Sequence, residues 1–338
     1  MSPAPRAFFP LDRAWGLNET AYSPERAKQM VWLGGLLPFE QAAQVFARIG
    51  RCLIPKASIQ RQIELYGERM KAQFERRQQQ VSVERVVLPP AGQDHAQRKS
   101  ISMDGGMIHI RGEGWKEVKV GAIGDIQEVM EWDPLTQERE PEVHVADVGY
   151  AAVLGSPEAF APALWALAVE KDVPRAADSC VTADGADWIW NLTADLFPDS
   201  EQIVDWYHAC QHLAAAGHAL HPQDSQKADK WFKERRKHLY LGEIHAITDP
   251  LDRAALSEHS HYFHTHQRRM RYQEFREDGY PIGSGTVESG IKQFKTRLSG
   301  AGMRWSRSGA ERMLIIRGAV LANSFDALWA TASAVPPS

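Results

Sequence analysis

Three carboxylates stand where predicted secondary-structure elements end or begin. Asp104 and Asp184 each close a short apolar run that is typical of a strand, and each precedes a glycine. Glu288 stands near the start of a helix that residues 281–285 open. In open α/β sheets, functional groups gather beyond the carboxyl ends of the strands. Carboxylate oxygens that converge there would be suitable ligands for Mg²⁺ or Mn²⁺.

Two such ions support phosphodiester chemistry. Held roughly 3.5–4 Å apart, they activate an attacking oxygen and stabilise the leaving oxygen. We therefore predict that Asp104, Asp184 and Glu288 are catalytic residues that bind two Mg²⁺ or Mn²⁺ ions. Taken alone, each Asp-Gly pair is also typical of an ordinary turn. For Glu288 the alternative is a surface ion pair with Lys292, one turn later on the same helical face.

A second polar pair, Asp205 and His208, lies at the start of another predicted helix. An aspartate there can accept hydrogen bonds from the free backbone N–H groups of the first turn, and a residue three positions later lies on the same face. We predict a supporting role for both side chains and do not assign them as metal ligands.

Four histidines between residues 259 and 266 form a dense cluster that could bind zinc. They are His259, His261, His264 and His266. The segment has no cysteine and no spacing typical of a zinc site. We therefore expect an exposed helical or loop segment.

Charge is distributed unevenly along the chain. Residues 1–100 carry a net charge of +6, residues 101–224 carry −16 and residues 225–338 carry +6. Basic flanks are suited to a polyanion and an acidic middle to divalent cations, although uneven charge on solvated faces is the simpler alternative. Basic residues interleaved with an aromatic one are typical of a surface that follows a nucleic-acid backbone. The predicted DNA-binding residues are Lys292, Lys295, Arg297, Arg304, Trp305 and Arg307.

The predicted elements describe an α/β protein with a mixed five-stranded sheet and a helical insertion, preceded by a helical region. Helices are expected at 24–37, 38–49 and 57–77, an outline shared by a helix-turn-helix and by any three-helix bundle. Strands are expected at 101–104 continuing into 107–110, and at 117–123, 142–148, 179–184 and 201–205. Further helices are expected at 157–171, 187–196, within 207–277, at 286–299 and at 307–323.

Several of these motifs together resemble bacterial insertion-sequence transposases of the ISKra type. The matching segments are 104–106, 115–121, 184–190, 205–209, 281–289 and 300–305. This resemblance extends over about residues 10–323. It implies a DDE transposase with a ribonuclease-H-like core, in which Asp104, Asp184 and Glu288 form the metal-binding triad. Asp205 and His208 match the Asp-x-x-His signature of related transposases.

The resemblance also implies a domain organisation and partners. The predicted parts are a DNA-binding region at 1–78, a linker at 79–100, the catalytic core at 101–206 and 280–323, the insertion at 207–279 and a tail at 324–338. The expected partners are terminal inverted repeats and target DNA, bound by a homodimer or a higher synaptic assembly. A catalytically inactive or domesticated DNA-binding relative and a stand-alone metal-dependent nuclease are the alternatives.

Other function classes fit the sequence less well. No apolar stretch is long enough to span a membrane, and the N-terminus lacks the apolar run of a signal peptide, so we expect a cytoplasmic protein. Three widely spaced cysteines suit a reducing compartment. The chain has no phosphate-binding loop of the G-x-x-x-x-G-K-[ST] type, which argues against ATP use.

Overall fold

The computed structural model describes residues 22–83, 97–133, 137–300 and 302–334. The strands are β1 (Arg98–Ile110), β2 (Gly114–Asp133), β3 (Glu138–Leu154), β4 (Asp178–Ala183) and β5 (Glu201–Val204). The helices are α1 (Pro24–Leu36), α2 (Phe39–Arg48), α3 (Lys56–Val83), α4 (Pro157–Glu170), α5 (Asp187–Leu196), α6 (Trp206–Leu220), α7 (Ser225–Tyr240), α8 (His245–Arg253), α9 (Ser257–His266), α10 (Tyr272–Glu277), α11 (Gly285–Leu298), α12 (Arg307–Leu321) and α13 (Phe325–Ser333). The chain forms two compact units. The first comprises residues 1–77, 108–116 and 294–338, and the second comprises 78–107 and 117–293.

The strands form one mixed sheet in the order β3-β2-β1-β4-β5. β2 and β3 are antiparallel, whereas β4 is parallel to both β1 and β5. The apolar side chains of the parallel strands are buried, as expected for strands covered on both faces. The predicted α/β class with a mixed five-stranded sheet is thus confirmed.

The first strand is longer than the sequence predicts, and Asp104 lies inside it. Gly105 and Gly106 continue the extended backbone instead of ending it. Parallel pairing between β1 and β4 ends at Ser102 and Thr182, so Asp104 lies two residues beyond the last parallel pair. The prediction that Asp104 ends a strand is wrong, yet the residue still lies near the carboxyl end of β4.

β2 and β3 form a hairpin that extends well beyond the predicted strands. Their pairing runs from Val118 opposite Leu154 to Asp133 opposite Glu138. In the outer half, charged residues such as Glu128 and Glu131 interrupt the apolar alternation on which strand prediction relies. In this outer half, hydrogen bonds between β2 and β3 pair the backbone N–H and C=O groups, although neither face of the hairpin is buried.

The first unit contains α1, α2, α3, α12 and α13. Ser23 caps α1, since its hydroxyl accepts a hydrogen bond from the backbone N–H of Arg26 at 3.3 Å. Met30, Ile59 and Met313 are completely buried in this unit. α12 packs against α1, and residues 307–321 belong to this unit, whereas the predicted core joined them to 101–206, most of which lies in the second unit.

Two predicted boundaries need correction. The expected linker at 79–100 begins inside α3, which reaches Val83, and its last three residues belong to β1; residues 84–96 lie outside the described residues. Glutamine favours helix, and no proline lies between Pro55 and Pro89, so the helix can continue past residue 78. The expected tail at 324–338 contains the helix α13. The ring centroids of Trp329 in α13 and Tyr66 in α3 lie 4.3 Å apart, so this helix packs against the rest of the first unit.

The second unit contains the rest of the sheet and the helices from α4 to α10. α4 and α5 each bury an apolar face, and the region 207–277 is helical as predicted. In the described parts of the chain, no helix combines the length and the apolar character that crossing a bilayer would require.

Candidate functional site

The five predicted catalytic and supporting residues lie in the second unit, on elements that border the parallel strands. Asp104 lies in β1, Asp184 directly follows β4 and Asp205 directly follows β5. His208 is in the first turn of α6, and Glu288 is in the first turn of α11. The carboxyl ends of adjacent parallel strands lie at one edge of a sheet, so the topology brings residues from distant parts of the chain together.

The predicted triad interacts through charge. Burial raises the pKa of the Asp104 carboxyl, and the nearby carboxylates of Asp184 and Glu288 raise it further. A hydrogen bond from the backbone N–H of Gly105 to Asp104 Oδ1 and the charge of His208 act in the opposite direction. The net effect is a raised pKa, which marks a position where a cation would favour the ionised carboxylate.

Asp205, His208 and Glu288 are closer still, since one potential ligand atom from each lies within 4.8 Å of the other two. Distance alone would allow a metal ion. However, the side chain of Asp205 is completely buried, and its oxygens already accept four hydrogen bonds. Those bonds come from the backbone and ring of His208 and from the backbone and hydroxyl of Ser284. Asp205 therefore has a capping and positioning role, as its spacing from His208 suggests.

These contacts set the ionisation of the pair. Burial opposes ionisation of Asp205, but its hydrogen bonds to His208 and Ser284 outweigh burial and lower its pKa. The hydrogen bond to Asp205 raises the pKa of His208, and the charges of Asp205, Asp184 and Glu288 add to this effect. His208 Nδ1 lies 3.1 Å from Asp205 Oδ1 and 4.0 Å from Glu288 Oε1.

Ser284 is a site residue that the sequence reasoning missed. Its backbone N–H and its hydroxyl both donate to Asp205 Oδ2, the hydroxyl at 2.9 Å. The hydroxyl also lies 3.5 Å from Glu288 Oε1. The Gly-Ser-Gly segment before Glu288 is visible in the sequence, but its partner stands 79 positions earlier in the chain.

The helical region supports the Asp184 loop. The hydroxyl of Tyr262 donates to the backbone carbonyl of Asp184 at 3.4 Å. A β-carbon at Gly185 would lie 3.1 Å from the Tyr262 ring and 3.3 Å from His266 Nε2. Gly185 also has a φ of +105°, so both the backbone and the close packing require glycine there.

The four histidines of the cluster lie in different environments. His266 is buried, and burial lowers its pKa to about 4. His264 Nε2 lies 3.1 Å from Asp252 Oδ2, whereas on α9 His261 is exposed and His259 is half-buried. Within the described residues, the histidines at these positions belong to no group arranged for a metal ion. The segment is helical, as expected, but one of its faces is buried and includes Phe263 and His266.

The predicted DNA-binding residues are in different environments. Lys292 is 78 % exposed, and its Nζ lies 3.7 Å from Glu288 Oε2, the surface pair that the spacing allowed. Lys295 and Arg304 are exposed. The guanidinium of Arg307 forms two hydrogen bonds to the carboxylate of Glu113.

Arg297 and Trp305 have structural contacts in the first unit. Only 2 % of Arg297 is exposed, and its Nε donates to the carbonyl of Gly34 at 2.8 Å. The indole N–H of Trp305 donates to the carbonyl of Leu298 at 2.9 Å. The placement of Arg297 corrects its assignment as a DNA contact, because a buried guanidinium with a protein partner cannot reach a phosphate.

The chain matches no protein-family model, and a comparison with curated proteins also gives no match.

Asp104→Asn is expected to stabilise the protein in EDTA at pH 7. The pKa of Asp104 is raised above its ordinary value of 3.8, so the folded state holds this proton more tightly than the unfolded state does. The cost of ionising the carboxyl therefore appears as the pH rises above about 4, and asparagine removes it. We expect thermal denaturation to show an increase in Tm of about 2 °C at pH 7. The increase should disappear near pH 3.8.

Asp229→Asn is the matched control, because Asp229 is exposed on α7. Its Tm should equal that of the wild type at both pH values. A lower Tm for Asp104→Asn than for the wild type at pH 7 would contradict the prediction.

Proposed function

We propose that the protein is a DDE transposase of a bacterial insertion sequence, which cleaves DNA at element ends and transfers the strand into target DNA. The observation that carries this proposal is that Asp104 in β1, Asp184 directly after β4 and Glu288 in α11 lie near enough for the charges of Asp184 and Glu288 to raise the pKa of Asp104. The strand order β3-β2-β1-β4-β5, with parallel β1, β4 and β5, supports a ribonuclease-H-like core.

The donor set fits divalent cations. Carboxylates are the oxygen ligands that Mg²⁺ and Mn²⁺ prefer, and the raised pKa of Asp104 means that its ionisation is less favourable than that of an ordinary aspartate, which a bound cation would offset. In the proposed enzyme, Asp104, Asp184 and Glu288 would hold two such ions. When bound, these ions would supply activation of the attacking oxygen and stabilisation of the leaving oxygen.

The remaining residues organise this site. Asp205 fixes the segment before α11 through Ser284, and thereby the start of the helix that carries Glu288. His208 Nδ1 lies 4.0 Å from Glu288 Oε1, and the raised pKa of His208 favours the charged ring, which would limit repulsion among the carboxylates. Water would attack the element end, and the freed 3′ hydroxyl would then attack the target strand. The proposed partners are terminal inverted repeats and target DNA, with a homodimer or a higher assembly joining two ends.

DNA cleavage tests this proposal. The protein is incubated with duplexes containing the ends of its element, in Mg²⁺, Mn²⁺ or EDTA, and the products are resolved on denaturing gels. We expect cleavage in either metal but not in EDTA. Asp184→Asn and Glu288→Gln should each reduce the cleavage rate about 100-fold or more, because each removes a charged ligand.

Asp229→Asn and Glu234→Gln are matched controls, since both residues are exposed on α7, and they should retain wild-type rates. Strand-transfer products distinguish a transposase from a stand-alone nuclease. DNA binding without metal-dependent cleavage would support the inactive relative and overturn the proposal. So would wild-type cleavage rates in both site variants.

A further inference from the structure

A groove in the second unit, with a volume of about 710 Å³, lies beside the carboxylates. Its lining includes five aromatic side chains, those of Tyr150, Trp206, Tyr207, Tyr240 and Tyr280. The volume lies within the range of pockets that bind small organic groups. An aromatic lining of this kind offers flat surfaces on which another ring can stack.

The groove borders the candidate active site at Gly283, where a β-carbon would lie 3.8 Å from Asp205 Oδ2. Tyr207 immediately precedes His208 in α6, and Gly283 and Gly285 flank Ser284. Thr286 and Ser289 also line the groove. Ser289 lies about 100° around α11 from Glu288, whereas Thr286 lies on the opposite side of the helix from Glu288.

Tyr207 is the most accessible of these rings, with 66 % of the residue exposed. Its backbone is nevertheless held firmly. The backbone N–H of Trp206 donates to the carbonyl of Ile282 at 2.9 Å, and the N–H of His208 donates to Asp205 Oδ1 at 2.8 Å. A β-carbon at Gly283 would lie 3.5 Å from the Tyr207 ring, so this ring lies directly against the 283–285 segment.

The other rings are fixed by packing. Trp206 packs edge-to-face on the buried Tyr272, with ring centroids 4.8 Å apart, and on Tyr240 at 5.8 Å. The guanidinium of Arg98 lies 4.2 Å from the Tyr280 ring centroid. A stacking surface that is already ordered loses little conformational entropy when a ligand binds.

Charge indicates which part of a nucleotide the groove would accept. Arg276 lies 3.6 Å from Glu142, and these opposite charges offset each other at the groove. His144 Nε2 lies 3.0 Å from Glu131 Oε1. A lining without excess positive charge is poorly suited to phosphates, which need cationic contacts. It is well suited to a neutral aromatic ring.

The geometry points to a binding site for an unpaired DNA base, in which Tyr207 stacks on the base of a nucleotide near the phosphate that is cut. This inference rests on the proposed function for the identity of the ligand. A base can enter such a groove only after it leaves the duplex stack, so the groove would select strands that are unpaired at the element end.

Fluorescence of 2-aminopurine tests the inference. The probe is a twelve-nucleotide dT strand with one central 2-aminopurine, titrated with full-length Asp104→Asn protein in Mg²⁺ so that cleavage does not interfere. Stacking should quench the probe on binding. Tyr207→Ala in the same background should weaken binding about tenfold and reduce the quenching, whereas Tyr207→Phe should bind within twofold because it retains the ring.

Trp132→Ala is the matched control, since Trp132 is 62 % exposed in the same unit but lies outside the groove. It should bind within twofold of its parent. In a second measurement, 5-iododeoxyuridine replaces the fluorescent base, and irradiation should cross-link the strand to the peptide that contains Tyr207. Unchanged affinity in Tyr207→Ala, absence of strand binding, or cross-links only outside the groove would each overturn the inference.

The two proposals fail separately. Metal-dependent cleavage without stacking at Tyr207 would refute the base site and leave the transposase proposal standing. Stacking at Tyr207 without cleavage would identify a strand-binding site and refute the catalytic proposal.

Discussion

Asp205→Ala is expected to lower the free energy of unfolding by about 4 kcal/mol, because it removes a buried charge on which four polar groups depend. The backbone N–H and the hydroxyl of Ser284 would lose their carboxylate partner inside the protein. The ring and the backbone N–H of His208 would lose theirs at the start of α6. Asp205→Asn retains an acceptor but places an amide N–H₂ near donor groups, so it should lose about half as much.

The effect of Asp205→Ala should depend on pH. The pKa of Asp205 is lowered from 3.8, so its contribution is present above that value and is lost as the pH falls through the folded pKa. The pKa of His208 is raised from 6.5, so the additional stability of the charged ring is present below 6.5 and is lost as the pH rises through the folded pKa. The destabilisation should therefore be largest between about pH 4 and 6.5.

Urea denaturation at several pH values measures both effects. Asp224→Ala is the matched control, because Asp224 also caps a helix through the backbone N–H of Lys227 but lies at the surface. It should cause a clearly smaller loss. A loss in Asp205→Ala no greater than that in Asp224→Ala would show that burial and the contact with Ser284 contribute little.

Arg297→Ala is expected to lower the free energy of unfolding by about 3 kcal/mol. The guanidinium donates to the buried carbonyl of Gly34 and lies 4.9 Å from the Phe39 ring centroid and 5.0 Å from that of Trp305. Gly34 belongs to the last turn of α1, whose carbonyls lack partners within the helix. Alanine would leave this carbonyl unpaired and a cavity between the two rings.

Burial and the charge of Arg317 lower the pKa of Arg297 to about 10, which remains above neutrality, so the guanidinium is charged under ordinary conditions. Arg297→Met keeps an extended side chain between the rings and should lose about half as much stability as Arg297→Ala. Urea denaturation measures both variants.

DNA affinity then separates the structural role of Arg297 from the DNA contact that the sequence predicted. Arg297→Met should bind DNA within twofold of the wild type under conditions where both are folded. Lys295→Met is the matched comparison on the same helix, since Lys295 is exposed. It should bind more weakly and with a smaller dependence on salt. A loss of affinity in Arg297→Met equal to that in Lys295→Met would restore Arg297 as a DNA contact.

Local signals in the sequence were sufficient for most elements near the candidate site. Asp184 followed by glycine marked the end of β4, and Asp205 before an apolar helix marked a cap. Both signals depend on backbone groups within a few residues, so one short segment contains all the information. The outer half of the β2–β3 hairpin lacked such a signal, because neither of its faces is continuously apolar.

Amino-acid order thus determined by itself the helix starts, the buried strands and the residue types able to bind a cation. Only the tertiary structure decided which of those residues meet. Ser284 reaches Asp205 across 79 positions, and Arg297 reaches Gly34 across 263. A basic residue in a basic segment gives no local sign of whether it faces solvent or a buried carbonyl. That distinction depends on which helices pack together. Packing brings together segments that are far apart in the sequence, so no single segment determines it.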